Sequence, residues 1–364
     1  MTIIKISGCN KNISIMRQCI TVVTYITVDS SKTGVGKYAY DLYTLMAPES
    51  RIVQFIFNNK FQDPLYKSPY RGLENSVLNY LFSDLIYKSG IKVINNCDDI
   101  IHITSQTIKP MFKSKYMVVT IHDIIAFTEN INDLSSVEKL RRIGLRKYID
   151  EYLKYDNIVT VSDSVKHEIS TRFNINESKI SVISPYISDN FYPLNRKDEL
   201  RKELGLPLNK KLILSVSSDQ PRKNLSMVRE LMDRLGEEYQ LVRIGVPVGN
   251  SITFTDVDAE KINKIYGACD MLFFPTLAEG FGYPVVEAFK TGLPVLSSDI
   301  DVIREVSDGA ALLVNPKDIK ENIEGVYKVL DNSDYYRNKG FERAEYYSRD
   351  AIRNKLLSYY HSIK

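Results

Sequence analysis

Glu279 and Glu287 stand eight residues apart in the stretch Thr276 to Pro294, TLAEGFGYPVVEAFKTGLP, on either side of a glycine turn. Pro284 suits the first turn of a helix, where its missing N–H costs nothing, and Gly292 with Pro294 ends that helix. Near Gly282 and Tyr283 the unpaired first-turn N–H groups lie at the positive end of the helix dipole, a setting for phosphate. Glu287 follows Pro284 by three residues and shares roughly its face, whereas Glu279 stays in the preceding loop. A carboxylate only accepts hydrogen bonds, so a flanking pair repels phosphate and binds hydroxyls. The ligand this predicts carries vicinal hydroxyls on both sides of a diphosphate, the shape of a sugar nucleotide.

Around these residues the apolar pattern supplies the elements that must position them. Cys269 to Phe274, CDMLFF, precedes the motif and Leu293 to Ser297, LPVLS, follows it, so the unit reads strand, loop, helix, strand. Open α/β sheets bind ligands where loops leave the carboxyl ends of strands, and the motif sits at such a place. Further strands are predicted over Thr21 to Val28, Asp99 to Ile103, Tyr116 to Ile121, Asn157 to Ser162, Lys179 to Ile183 and Lys211 to Val216. They alternate with amphipathic helical stretches, as in doubly wound α/β folds.

The decapeptide E-G-F-G-Y-P-V-V-E-A resembles the E-x7-E signature of the retaining glycosyltransferases of family 4. That resemblance implies the GT-B fold, two facing Rossmann-like domains with parallel sheets and an interdomain cleft. It also implies roles: Glu279 contacts hydroxyls of the transferred sugar, Glu287 holds the nucleotide ribose, and the Gly280, Phe281 and Gly282 backbone, with Tyr283 beside it, lies against the sugar and phosphates. Three other segments are similar to the family in the expected order. In TGVGKYAYDL, Gly34 and Gly36 permit close backbone approach to an anion before a helix beginning at Lys37. In TIHDI, His122 would reach the donor sugar. In SSDQPRKNL, Arg222 and Lys223 would neutralise the diphosphate, the first as a fork and the second as a point charge.

Competing motifs fail on particular residues. A phosphate-binding P-loop needs glycine where Ser31 stands and Ser or Thr where Tyr38 stands. A dinucleotide fingerprint at G-V-G-K-Y-A lacks the acidic residue farther on, where Gln54 and Phe55 fall. Asp299 and Asp301 have the spacing of a metal-binding D-x-D, but they read as a turn with a helix cap leading into Val302 to Val306, and no metal or other cofactor is expected. His102 reads as structural, and His167 and His361 as surface residues. A sugar-nucleotide-binding protein without catalysis and an NAD(P)-dependent oxidoreductase stand as alternatives; the first would lack Arg222, Lys223 or His122, the second would carry the missing acidic residue.

The 364 residues suggest two domains, divided as 1–190 and 191–345, with 346–364 a helix returning to the first and 1–18 an extension outside the resemblance. A net charge of +3 without aromatic-interleaved basic runs excludes a nucleic-acid partner. Cys9, Cys19, Cys97 and Cys269 have neither metal spacing nor disulfide density, which points with the lack of long apolar runs to the cytoplasm. Ser135 to Tyr155 reads as a basic amphipathic helix, first a domain helix with a solvated face, and alternatively a peripheral contact with an anionic membrane bearing a lipid-linked acceptor. The resemblance favours GDP-mannose as donor, with UDP-glucose next. The acceptor would be a glycan, lipid-linked or other hydroxyl compound, met partly by Asn58 to Arg71.

Overall fold

The structure, a computed structural model, describes residues 20–22, 34–46, 50–52, 100–106, 115–127 and 136–363. The extension 1–18, most of the strand expected over Thr21 to Val28, the segment Asn58 to Arg71, and Cys9, Cys19 and Cys97 lie outside the described residues.

Twelve strands occur among the described residues, and every pairing between them is parallel. Ile20–Val22 (β1) pairs with Ser50–Ile52 (β2). Ile100–Ile103 (β3), Tyr116–Ile121 (β4), Asn157–Thr160 (β5) and Ile180–Val182 (β6) form a second sheet in that order. The third sheet holds Lys211–Ser217 (β7), Tyr239–Gly245 (β8), Ile252–Phe254 (β9), Met271–Phe274 (β10), Val295–Ser298 (β11) and Leu312–Val314 (β12), ordered β12-β11-β10-β7-β8-β9. Parallel strands need crossover connections that cover both faces of a sheet, so their side chains are buried whichever way they point. All four residues of β3 and all four of β10 obey this. From β7 the chain winds outward through β8 and β9, then returns to β10 on β7's other side. The winding reverses between β7 and β10, and a crevice opens at their carboxyl ends.

The helices are Gly34–Met46 (α1), Ser136–Tyr152 (α2), Asp163–Phe173 (α3), Lys197–Leu204 (α4), Leu225–Arg234 (α5), Ala259–Ala268 (α6), Tyr283–Thr291 (α7), Asp301–Ser307 (α8), Ile319–Asp331 (α9), Ser333–Ala344 (α10) and Arg349–Ile363 (α11). The basic helix α2 buries Ile149 and Tyr152 and leaves Ile143 exposed, with Arg146 paired to Asp150 and stacked over Phe173. The last helix starts at Arg349 rather than at Tyr346: a 3-10 turn over Glu345–Tyr347 closes on Ser348, whose hydroxyl accepts from Ala351 N–H. The helix cap expected of Asp299 and Asp301 is also corrected. Ile300 holds the N-cap position without a side-chain bond, and both carboxylates accept from Arg304, at 2.5 Å and 2.8 Å.

Contacts between far-apart parts of the chain join the sheets. Glu305 on α8 accepts from the N–H groups of Asp163 and Ser164 at 2.7 Å and 2.8 Å, so a carboxylate of the third sheet's layer caps the positive end of α3 beside the second sheet. Arg349 on α11 donates to Thr44 O at 2.9 Å, and Tyr360 OH lies 2.5 Å from His102 Nδ1.

Helix α7 stops where Gly292 adopts φ 75°, its N–H accepted by the last-turn carbonyls. A Cβ there would lie 2.5 Å from Phe341 Cζ on α10. Gly292→Ala therefore combines left-handed strain with a clash and should lower unfolding free energy by about 1–3 kcal/mol in urea titration, without altering the slope.

Candidate functional site

The buried face of α7 determines where Glu287 goes. Val285, Val286, Ala288 and Phe289 are buried in one core cluster, so Glu287 is drawn into the protein with them and is itself only 7% exposed. Such a carboxylate requires partners. Tyr266 OH on α6 donates to its Oε2 at 2.8 Å, and Lys37 Nζ on α1 lies 2.5 Å from its Oε1. No side chain caps the start of α7, where Gly282 takes φ 97° and a Cβ would meet Ile303 Cδ1 at 2.9 Å. Among the described residues, the N–H groups at the start of this helix have no side-chain cap.

Glu279 lies in the loop leaving β10, and its partners come from the loop leaving β7. There Pro221–Lys223 makes one 3-10 turn that Asn224 stops in the left-handed region, φ 56°. The Asn224 side-chain amide donates to Pro275 O at 3.0 Å and Pro316 O at 2.9 Å, tying the turn to the neighbouring strand ends. Arg222 Nη1 thereby reaches Glu279 Oε2 at 2.9 Å, Lys223 Nζ reaches Oε1 at 2.5 Å, and the Thr276 hydroxyl donates to Oε1 at 2.9 Å. Burial pushes the Lys223 ammonium down and the Glu279 carboxylate opposes it. The sequence pattern predicts a carboxylate pair that would repel phosphate and bind hydroxyls. The structure instead shows each neutralised by a cation, because neither is wet enough to stand alone.

His122 closes this arrangement from β4. A Cβ on Gly280 would lie 2.1 Å from His122 O, so only glycine lets the Glu279 loop rest on the β4 end. Ser162, which caps α3, donates to Gly280 O at 2.9 Å. His122 Nε2 lies 2.7 Å from Thr104 O; a carbonyl can only accept, so Nε2 carries the proton and Nδ1 is left as an acceptor. Burial pushes this imidazole down to about 4, so it is neutral near pH 7. Asp123, beside it, is pushed up by burial against the pull of Arg222.

Most of the expected site residues converge: Arg222, Lys223 and Glu279 are in direct contact, Gly280 touches His122, and Glu287 lies one helical turn past Tyr283 and Gly282. Two differ in use. The Phe281 ring is buried, 5.4 Å from the rings of both Tyr283 and Tyr347, so its side chain belongs to the core and only its backbone lines the loop. A Cβ on Gly34 would approach the Tyr283 ring at 3.5 Å, which places that glycine against an aromatic face, with Gly36 buried in the same first turns of α1. His102 is structural as expected: buried, pushed down to about 3, and held between Thr120 Oγ1 at 2.7 Å and Tyr360.

Several residues around the site were not identified from the sequence. Lys37 and Asp41 share a face of α1 at i, i+4 spacing, the signal that would have marked them. Tyr38 stacks edge-on against His122 at 4.8 Å. Arg243 is fully buried in β8 and binds Ser215 Oγ at 2.8 Å, Ser217 O at 2.9 Å and Val246 O at 3.2 Å, which holds the β7 and β8 loops together with no carboxylate in contact among the described residues. A lone arginine inside the apolar run LVRIG was its mark.

Two facing Rossmann-like units with a crevice between their strand ends define the GT-B fold. Sucrose-phosphate synthase from Thermosynechococcus elongatus superposes with a TM-score of 0.71 at 17% identity, covering 94% of this chain and 99% of that one. Anabaena HepE, solved in complex with UDP-glucose, gives 0.69 at 13% identity over 94% of this chain and 99% of its own. Residues 196–347, which carry both glutamates and the basic pair, match the family Glycosyl transferases group 1. In sequence the chain is 27% identical over 236 residues to the O-antigen chain mannosyltransferase RfbU of Salmonella typhimurium, a match covering 57% of this chain and 63% of that protein. The alignment thus spans less than two thirds of that relative.

The His122 linkage has a definite sign. Its folded pKa of about 4 is below the ordinary value of 6.5, so its contribution to stability is complete above pH 6.5 and is lost as pH falls toward 4. Comparing wild type with His122→Gln cancels other groups. The stability difference should shift in favour of the variant by about 1.4 kcal/mol per pH unit between pH 6 and 4.5, measured by urea titration.

Proposed function

We propose that the chain transfers a hexose, with retention of anomeric configuration and without a metal ion, from a nucleotide-diphosphate sugar to a hydroxyl acceptor. The observation that carries this reading is the joining of Glu279 and Glu287, on either side of an uncapped helix tip, to Arg222, Lys223 and Lys37, with His122 from the opposite sheet at Gly280. Glu287 would hold ribose hydroxyls and Glu279 hydroxyls of the sugar. Arg222, Lys223 and the N–H groups at the start of α7 would hold the diphosphate and stabilise it as it leaves. The neutral His122, with Nδ1 as acceptor, would orient the sugar rather than exchange protons near pH 7. Retention would follow from a front-face route in which the leaving diphosphate helps deprotonate the acceptor.

GDP-mannose is the favoured donor, since RfbU bears the name of a mannosyltransferase, and UDP-glucose, the ligand of HepE, is next. A glycan acceptor agrees with the name of RfbU. A lipid-linked one would bring α2, with Ile143 exposed, to the cytoplasmic face of an anionic membrane. A ligand bound only by the folded state raises its stability, so a thermal-shift panel of GDP-, UDP-, ADP- and TDP-sugars should show a rise with one nucleotide. A flat response to all four refutes the reading. Lys223→Met should reduce kcat by roughly 10²–10³ and lower the melting temperature only in part, because Arg222 and Thr276 still hold Glu279.

A further inference from the structure

The ion pair between Lys37 and Glu287 joins α1 to α7 across 250 positions of sequence. Its ammonium also lies 4.8 Å from the Tyr283 ring centroid and 5.0 Å from that of Phe191. If Glu287 takes ribose hydroxyls, the incoming ligand meets a carboxylate already bonded at both oxygens, by Lys37 at Oε1 and Tyr266 at Oε2, and a ribose held across the two competes with the Lys37 contact. A displaced ammonium in this half-buried place cannot remain without an anion. The nearest new anion is the diphosphate attached to that same ribose.

The surroundings of Lys37 hold more polar capacity than the protein itself satisfies. Asp41, one turn along α1, is 6% exposed, and its Oδ2 has no hydrogen-bond partner. Tyr283 OH on α7 is likewise buried and unpaired. Burial pushes Asp41 up to about 7, and Lys37 and Arg349 oppose the rise while Glu287 adds to it. Asp41 Oδ2 thus stands unpaired near an ammonium that rests on Glu287.

We propose that Lys37 is a third diphosphate-binding residue, supplied by the β4 side of the cleft, and that donor binding moves its ammonium from Glu287 to the phosphates as a ribose hydroxyl takes its place. The inference rests on the nucleotide-sugar reading above. The same exchange operates at Glu279, where sugar hydroxyls replace Arg222 and Lys223 as those cations turn to the diphosphate. Ligand-free, the glutamates hold the cations in readiness; with donor bound, hydroxyls meet carboxylates and phosphates meet cations.

The test compares dissociation constants of a nucleoside diphosphate (GDP and UDP) and of the matching nucleoside (guanosine and uridine) by titration calorimetry, with circular dichroism as the check on folding. Lys37→Met should weaken diphosphate binding roughly tenfold or more while nucleoside binding is unchanged or tighter. Lys37→Arg should restore most of the loss. Glu287→Gln tests the same point without touching Lys37: the released ammonium should raise the ratio of diphosphate to nucleoside affinity. Diphosphate binding undiminished in Lys37→Met would make the lysine a mere plug on Glu287. Equal weakening of both ligands would make it a shaper of the pocket, and an unchanged or lower ratio in Glu287→Gln contradicts the exchange. If wild type binds neither of these diphosphates nor ADP or TDP, the donor reading fails and this inference with it; if wild type binds and Lys37→Met binds equally, only the inference fails.

Discussion

A buried carboxylate must be neutralised, and the arrangement of the cleft follows from that requirement at two positions. Glu279 and Glu287 have side chains about as inaccessible as the core around them, 9% and 10% exposed. Taking such groups out of water is costly unless charge and hydrogen bonds compensate. The compensation comes from different places. For Glu279 it arrives from the next loop of the same sheet, through the Pro221–Lys223 turn. For Glu287 it arrives from α1, which packs with the other sheet. The second pair therefore ties α7 to the relative placement of two structural units, whereas the first depends on one sheet alone.

That difference fits the topology. Loops leaving β7 and β10 face each other because the winding reverses between them, so Arg222, Lys223 and Glu279 are neighbours by the connectivity of a single parallel sheet. Asn224 then fixes the turn with two carbonyl contacts, and Thr276 fixes the carboxylate. On the opposite side His122 is held by Thr104 and Tyr38, and its backbone by Gln106, which accepts from His122 N–H at 3.1 Å. Behind it, Tyr38 and His102 both reach Thr120, and Tyr360 of α11 reaches His102. The last helix of the chain thus contributes to the packing behind the imidazole, although it lies far from the glutamates in sequence.

What the sequence disclosed follows the range of the interactions involved. The helix carrying Glu287 was readable because its signals are local: Pro284 at the start, Gly292 at a left-handed end, apolar residues between. The place of His122 at a strand end was readable because an apolar run precedes it. The pairing of Lys37 with Glu287 was not, since nothing near either residue encodes a contact across 250 positions. Arg243 was visible only as an irregularity, and its task of joining two loops appears once β7 and β8 are side by side. Two misreadings were avoidable on local grounds. Arg304 follows Asp301 by three residues, the spacing of a helical ion pair, and Ser348 precedes a polar helix start as an N-cap.

The neutralised state of the free cleft also bears on how selectivity would arise in the proposed reaction. A site with bare cations would bind any phosphate, including inorganic phosphate, through charge alone. Here each cation is already paired, so a simple anion gains an ammonium or guanidinium only by leaving a buried glutamate uncompensated. A ligand that brings hydroxyls for the glutamates together with phosphates for the cations avoids that cost, because both exchanges occur at once. Discrimination would then reside in the combination of groups rather than in either contact alone, as expected where rejection works through polar groups left unpaired. The eight-residue spacing of the glutamates around one helix tip would set the distance over which the combination is read.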